Sequence, residues 1–266
     1  MLFADSYNIP QVVPLEIENL CCFITDLHEN NIAPSTITSI VSGLSYLHKI
    51  RNVYDPTHAF AVRQLLTSLT KKFSIPDNRC PVSENLLFRL IDHIPNLTTV
   101  RYTQILLNSI LLFAFNFALR IGEYTDSQHN LQLNDLKANV AEVSIHFKSY
   151  KHCDNSSEIH IVKSSNHKHC TVKMINEYLK LRGNKEGPLF LLEGKPITKS
   201  FFSAQLKQLL KITGLSEKIT PHSLRIGSAT HWSQLGYSEC QIMKRGRWRS
   251  NAFLKYIRGV VDHTPK

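Results

Sequence analysis

Acidic residues, paired cysteines and long apolar runs are scarce in this sequence. Its 266 residues include 21 Asp and Glu against 31 Lys and Arg, so the formal charge is +10. This excess of basic residues favours a polyanionic partner. The six cysteines form no C-x-x-C pair and no signal peptide precedes them. We therefore expect a reduced, intracellular protein, nuclear if the host is a eukaryote.

Several other classes of protein are excluded. The longest apolar run, residues 105–119, is interrupted by Asn108, Ser109 and Asn116, so no membrane span is expected. The glycines near residue 190 lack the order of a phosphate-binding loop, which excludes nucleotide hydrolysis. A group of His and Cys residues matches no standard four-ligand zinc spacing: His152, Cys153, His167, His169 and Cys170. We expect no metal and no other cofactor.

Residues 1–75 predict a small helical domain. Apolar residues recur at helical spacing over residues 14–28, over a helix capped by Ser35, and over residues 59–73. Asn30-Asn31 and Asp55-Pro56 separate these helices. Residues 76–83 contain two prolines and predict a linker to a second domain, residues 84–266. Residues 1–79 carry a net charge of −1 and residues 80–266 one of +11, so phosphate contacts should lie mainly in the second part.

The sequence of the second domain predicts a mainly helical fold with one small antiparallel sheet. Residues 105–123 form a mostly apolar, hence buried, helix that ends in the charged residues Arg120 and Glu123. Residues 140–147 alternate between apolar and polar, and the alternation returns at Ile159 and Ile161. This pattern predicts a β-hairpin with a long basic tip.

Three short helices are predicted near the end of the chain, in residues 220–258. Pro221 suits the start of the first and Gly236 its end. Ser238 and Gln241 form a capping box for the second, and Ser250 begins the third, over residues 251–257. These helices would bring four side chains within reach of one point: His222, Arg225, Trp248 and Tyr256.

The order His-x-x-Arg, then Gly-Arg-Trp, then Tyr eight residues after the Trp resembles the second signature box of the tyrosine recombinases, the phage-integrase family. Upstream, Ala-Leu-Arg-Ile-Gly-Glu at residues 118–123 resembles the first box, with Arg120 as its arginine and Glu123 as an orienting residue. The resemblance covers almost the whole chain. With a long hairpin and the run Phe-Lys-Ser-Tyr-Lys-His at residues 147–152, the chain resembles recombinases of eukaryotic mobile elements, the Crypton and DIRS-like types, more than bacterial Xer proteins.

This resemblance implies an architecture and a partner. It implies a two-domain, C-shaped clamp around duplex DNA, with residues 1–75 as a helical core-binding (SAM-like) domain and residues 84–266 as the catalytic domain. It also implies assembly of a tetramer on DNA. The surrounding basic residues are expected to bind DNA: Lys148, Lys244, Arg245, Arg247 and Arg249.

The resemblance also implies a site-specific recombinase that uses neither metal nor ATP. Arg120 and Arg225 would donate paired N–H groups to the phosphate oxygens, with His222 and Trp248 as further donors. Tyr256 would attack the phosphorus and form a 3′-phosphotyrosine. A lysine of the hairpin would protonate the departing 5′-oxygen, with Lys151 as first choice and Lys148 as the alternative.

Two other functions share these residues. One is a sequence-specific DNA-binding protein derived from a recombinase that has lost catalysis. The other is a type IB topoisomerase, which uses similar chemistry without exchanging partners. Covalent capture on one DNA sequence, on any duplex, or on none would separate the three.

Overall fold

The computed structural model of the chain describes residues 14–73, 77–148, 158–215 and 218–257. The chain divides into two compact units, Met1–Asp77 and Asn78–Lys266. This division falls inside the segment that the sequence predicts as a linker. Among the described residues, no helix is long and apolar enough to cross a membrane.

The first unit is built from helices α1 (Ile17–Glu29), α2 (Pro34–Ile50) and α3 (Phe60–Phe73), with a 3-10 turn at Pro56–His58 before α3. Asn31, at φ 60°, separates α1 from α2 as predicted. Helix α2 begins at Pro34 and not after Ser35, because Pro at the first helical position already has the required φ. The apolar stripes of the three helices meet in one core: Leu20, Ile24, Ile37, Val41, Val62 and Leu69.

The second unit is mainly helical. Ser83 caps its first helix by accepting a hydrogen bond from the Leu86 amide at 3.2 Å. Its helices are α4 (Glu84–Asp92), α5 (Ile94–Leu97), α6 (Arg101–Asn116), α7 (Ile121–Tyr124), α8 (Thr171–Arg182), α9 (Lys199–Ile212), α10 (Pro221–Gln234) and α11 (Glu239–Gly246), with 3-10 turns at Leu133–Asp135 and Asn251–Tyr256.

A three-stranded antiparallel sheet confirms the predicted strand pattern. Strands β1 (Leu136–Ala138), β2 (Glu142–Phe147) and β3 (Glu158–Lys163) pair in that order. Val143, Ile145 and Phe147 of β2 are buried, and the residues between them are more exposed. A second, two-residue pair joins β4 (Leu191–Leu192) to β5 (Lys195–Pro196).

The long buried helix predicted over residues 105–123 is interrupted in the structure. Helix α6 ends at Asn116, where the Ala118 amide donates to the Phe115 carbonyl and the Leu119 amide to the Ala114 carbonyl. This is a Schellman ending, with Ala118 in the left-handed conformation at φ 45°. The sequence has no glycine at this position, so the usual sign of such an ending is missing.

Helix α10 lies against the chain segment that leads into α4. The Val82 amide donates to the Ser223 carbonyl at 3.1 Å, and the Cys80 amide to the Lys218 carbonyl at 3.2 Å. A Cβ at Gly227 would lie 2.0 Å from the Val82 carbonyl oxygen, so only glycine allows this approach. Helix α10 is thereby fixed deep in the unit, with nine of its fourteen residues buried.

Candidate active site

Helix α10 carries two of the predicted site residues on one face. A capping box fixes its start, since the Thr220 amide donates to the Ser223 hydroxyl at 3.0 Å. His222 lies in the first turn and Arg225 one turn later, as the His-x-x-Arg spacing predicts. The capped start of α10 therefore fixes which turns of the helix carry His222 and Arg225.

Three aromatic rings meet at this end of α10. The ring centroids of His222 and Tyr256 are 5.2 Å apart, and those of Trp248 and Tyr256 are 5.6 Å apart. The Thr230 hydroxyl donates to the Tyr256 carbonyl at 2.8 Å, which ties the last 3-10 turn to α10. The three short helical segments thus bring His222, Trp248 and Tyr256 together.

Arg225 lies against one of these rings, that of Trp248, and is only 1% exposed. Its guanidinium carbon is 4.3 Å from the centroid of Trp248. It donates from Nη1 to the Ala118 carbonyl and from Nη2 to the Gly246 carbonyl at 2.6 Å. Burial, with the nearby charges of two other arginines, lowers the pKa of Arg225 well below its ordinary value.

Arg120 is the N-cap residue of α7 and not the last residue of α6. Its amide donates to Glu123 Oε2 at 2.8 Å, and its Nη1 donates to Glu123 Oε1 at 3.0 Å. Burial alone would raise the pKa of Glu123, but the adjacent guanidinium groups, Arg247 first, lower it below its usual value. The Glu123 carboxylate is therefore charged and holds Arg120 in place.

The profile of one sequence family, the Phage integrase family, matches residues 84–257. That match spans more than half of the chain and includes every site residue described above. The chain belongs to the phage integrase family. No curated protein sequence matches it.

Solved structures of similar fold include integrases and recombinases. A lambda integrase dimer bound to a COC′ core site has a TM-score of 0.62 at 12% identity, covering 96% of this chain and 68% of that one. XerH recombinase bound to a palindromic difH substrate has a TM-score of 0.65 at 15% identity, covering 96% and 71%. The Tn1549 transposon integrase in complex with circular intermediate DNA has a TM-score of 0.59 at 14% identity, covering 94% and 83%.

Arg247 occupies a different place from the DNA-facing position expected of it. Its side chain is 0% exposed, and its Nη2 lies 2.7 Å from Glu123 Oε2. It also donates to the carbonyls of Phe117 at 2.9 Å and Ala118 at 3.2 Å. The left-handed conformation of Arg247, at φ 57°, turns this side chain inward from the end of α11. The basic run of residues 244–249 suggested a surface position, and nothing in that run signals the inward turn.

The other basic residues of the run 244–249 lie nearer the surface than Arg247. Lys244, in the last turn of α11, and Arg249 are both exposed. Arg245 is partly buried, with its guanidinium carbon 5.3 Å from the ring centroids of Trp232 and Tyr237. That these three residues bind DNA stays a prediction.

The structure describes only one of the two candidate lysines of the hairpin. Lys148 follows β2, and its side chain is 66% exposed with Nζ 2.7 Å from Asp135 Oδ1. Lys151 lies outside the described residues. The choice between them therefore stays a prediction.

Three features of the site were not found from the sequence. The carbonyls of Phe117, Ala118 and Gly246 each accept a hydrogen bond from a buried arginine. Backbone acceptors carry no residue-type signal, so no pattern of side chains could have identified them. The Schellman ending of α6 is what leaves the first two carbonyls available, because no further helical turn uses them.

Proposed function

We propose that this protein is a site-specific DNA recombinase that cleaves and rejoins duplex DNA through a 3′-phosphotyrosine formed by Tyr256. The observation that carries the proposal is the meeting of Tyr256 with His222 and Trp248, at ring separations of 5.2 and 5.6 Å, next to the buried Arg225. A phenol, a neutral donor and a guanidinium at one point are the groups that phosphodiester transfer requires.

The proposed cleavage step conserves the energy of the phosphodiester. The Tyr256 oxygen bonds to phosphorus, the bond from phosphorus to the 5′-oxygen breaks, and its electron pair leaves on that oxygen. His222 is proposed to accept the phenolic proton, and a lysine of the hairpin to supply a proton to the 5′-oxygen. A 5′-hydroxyl of another strand then reverses the step. Because the phosphate stays activated as an ester of tyrosine, neither metal nor ATP is required.

Arg120 and Arg225 are proposed to stabilise the charge that develops on the phosphate oxygens. Within the part of the chain that the structure describes, carbonyls use two of the five N–H groups of Arg225, and the others could serve a phosphate. Trp248 covers that guanidinium in the present structure.

Duplex DNA is the proposed partner, and residues 1–75 are the proposed core-binding domain. Helices α2 and α3 contain no acidic residue, and their lysines and arginines are exposed, whereas the acids of the first unit lie mainly along α1. The exposed basic residues of α2 and α3 are suited to contact a phosphate backbone. The DNA-bound states of the lambda integrase and XerH structures add support. A C-shaped clamp and a tetramer assembled on DNA are proposed from the family.

We also propose the eukaryotic mobile-element type, with nuclear localisation in such a host. The support is the run Phe-Lys-Ser-Tyr-Lys-His at residues 147–152.

A nicked suicide substrate tests the function. Wild-type protein should form a covalent adduct with one DNA sequence, and Tyr256→Phe should bind that DNA equally well without forming the adduct, because the ring stays and the attacking oxygen is removed. An adduct with any duplex would indicate a topoisomerase, and none would indicate a DNA-binding module. An adduct formed by Tyr256→Phe would assign the nucleophile to another tyrosine.

A further inference from the structure

The buried Arg247 lies outside the set of groups that contact a phosphate, yet it contacts the partners of both arginines that belong to that set. Glu123 accepts from Arg120 and from Arg247, at 3.0 and 2.7 Å. The Ala118 carbonyl accepts from Arg225 and from Arg247. The side chain of Arg247 thus shares one acceptor with each of them, and its carbonyl also accepts from Arg120 Nη2 at 3.5 Å.

The Nη1 and Nη2 donors of the Arg247 guanidinium point to the acceptors around them. Nη1 donates to the Phe117 carbonyl at 2.9 Å, while Nη2 is shared between the Ala118 carbonyl and Glu123. The guanidinium carbon lies 3.9 Å from the ring centroid of Phe147, at the end of β2. A planar group with several fixed donors fills this position, and a lysine ammonium cannot reproduce it.

The arrangement around Glu123 is electrostatically costly. One carboxylate, that of Glu123, faces three guanidinium groups, and two of these are almost fully buried. Burying charge in excess of its counter-charge is unfavourable, and apolar residues of similar volume often stabilise such positions as well or better. The excess positive charge is what a phosphate entering the site would neutralise.

We propose that Arg247 is a positioning residue that sets the spacing of Arg120 and Arg225 around the scissile phosphate, by holding Glu123 and the Ala118 carbonyl in one rigid frame. This inference rests on the proposed function. It also accounts for the Gly-Arg-Trp order, since Gly246 and Trp248 on either side of Arg247 both contact Arg225.

Arg247→Lys is the informative variant, because it keeps the charge that Glu123 needs and removes the fork. We expect the rate of adduct formation on the suicide substrate to fall about 100-fold, the loss typical of a misplaced catalytic group, while DNA affinity stays near that of wild type. Phe147→Leu leaves the carboxylate and carbonyl partners of Arg247 in place and removes only the ring beside it, so a smaller loss of rate is expected.

Arg182→Lys is the matched control. Arg182 also donates through its fork to backbone carbonyls, among them those of Leu189 at 2.9 Å and Pro188 at 2.7 Å, far in sequence from the site. This variant should lose some stability, less than Arg247→Lys because Arg182 is only partly buried, and keep the wild-type rate. If both variants lose rate in proportion to stability, Arg247 is only structural and the proposal falls.

Side-chain ¹⁵N NMR of the arginines gives a second measurement that needs no catalysis. The Nε–H signals of Arg120 and Arg225 should shift or broaden in Arg247→Lys and stay unchanged in Arg182→Lys. Unchanged signals would overturn the proposal even if the rate fell. Absence of an adduct with wild-type protein would instead refute the proposed function, and the NMR comparison would still decide whether Arg247 positions the two arginines.

Discussion

At the scale of residues, the candidate site depends on how buried arginines are held. Arg225 is bound by two carbonyls, and Arg120 is bound by a carboxylate that is itself held by Arg247. Preorganised donors of this kind need no rearrangement as charge develops during reaction. The precision of the site therefore depends on residues that do not touch the phosphate.

The two lysines of the hairpin can be separated by chemistry. Lys151→Ala should cripple cleavage of ordinary DNA and be rescued by a 5′-bridging phosphorothiolate, whose sulfur leaves without a proton. Lys148→Ala should weaken DNA binding and show no such rescue, since the Lys148 ammonium is an exposed charge paired with Asp135. Single-turnover cleavage of the two substrates measures this. Rescue confined to Lys148→Ala would reverse the assignment, and rescue of neither would place the proton donor elsewhere.

Gly246 is required by the ring that follows it. A Cβ at this position would lie 1.5 Å from Cζ3 of Trp248, so Gly246→Ala must displace the indole from Arg225. Overpacking of this kind costs about 1–3 kcal/mol in the free energy of unfolding. We expect that loss in urea unfolding, together with slower adduct formation.

Gly43→Ala is the control for this substitution. Nothing lies within 4 Å of a Cβ at Gly43, on the exposed face of α2. Alanine there should be neutral or stabilise the helix by up to about 1 kcal/mol. A Gly246→Ala protein as stable and as active as Gly43→Ala would contradict the packing seen around Trp248.

At the scale of elements, the ends of helices position the carbonyl groups and side chains of the candidate site. The Schellman ending of α6 turns the Phe117 and Ala118 carbonyls toward two arginines, and the capping box of α10 sets the turn that carries His222. Short helices with well-defined ends can therefore bring together groups that lie more than a hundred residues apart in the chain.

The turn between α2 and α3 predicts a dependence of stability on pH. Asp55 accepts from the Ser45 hydroxyl at 2.5 Å and from the Thr57 amide at 3.0 Å. Burial by itself would raise the pKa of Asp55, but these hydrogen bonds and the nearby His58 lower it to about 2. A carboxyl group whose pKa is lower in the folded chain than in the unfolded chain stabilises the fold at any pH above its unfolded pKa of about 3.9. This stabilisation is lost as the pH falls toward 2.

Asp55→Asn should therefore cost about 2 kcal/mol at pH 7 and much less near pH 2.5. Urea unfolding of the full chain at both pH values measures this. Glu18→Gln, on the exposed side of α1, serves as control and should change stability little at either pH. An equal loss at the two pH values would show that the hydrogen bonds of Asp55 do not depend on its charge.

At the scale of the whole molecule, the distribution of charge predicts how binding responds to salt. Residues 80–266 carry a net charge of +11, and residues 1–79 one of −1. If about 6–10 phosphates are neutralised, DNA affinity should fall roughly 10³–10⁵-fold between 50 and 200 mM salt. Fluorescence anisotropy with a labelled duplex measures the slope. A nearly flat dependence would contradict binding along the DNA backbone.

The sequence alone was sufficient for the family, the predominance of helices and the four residues His222, Arg225, Trp248 and Tyr256 that the structure brings together. These features leave local signals, because helical spacing, capping boxes and the alternation of β2 involve residues close in the chain. The break after Asn116 left no such signal, because Ala118 takes a conformation that glycine usually takes.

The tertiary structure alone decided where the Arg247 side chain lies. In the sequence it is one of four basic residues in the run 244–249, and solvation of such a run is the usual outcome. In the fold it is buried, because Glu123 and the carbonyls at the end of α6 lie more than a hundred residues away in sequence and within 3.2 Å in space. Whether a charged side chain faces water or a buried partner depends on such distant contacts, and no local pattern contains them.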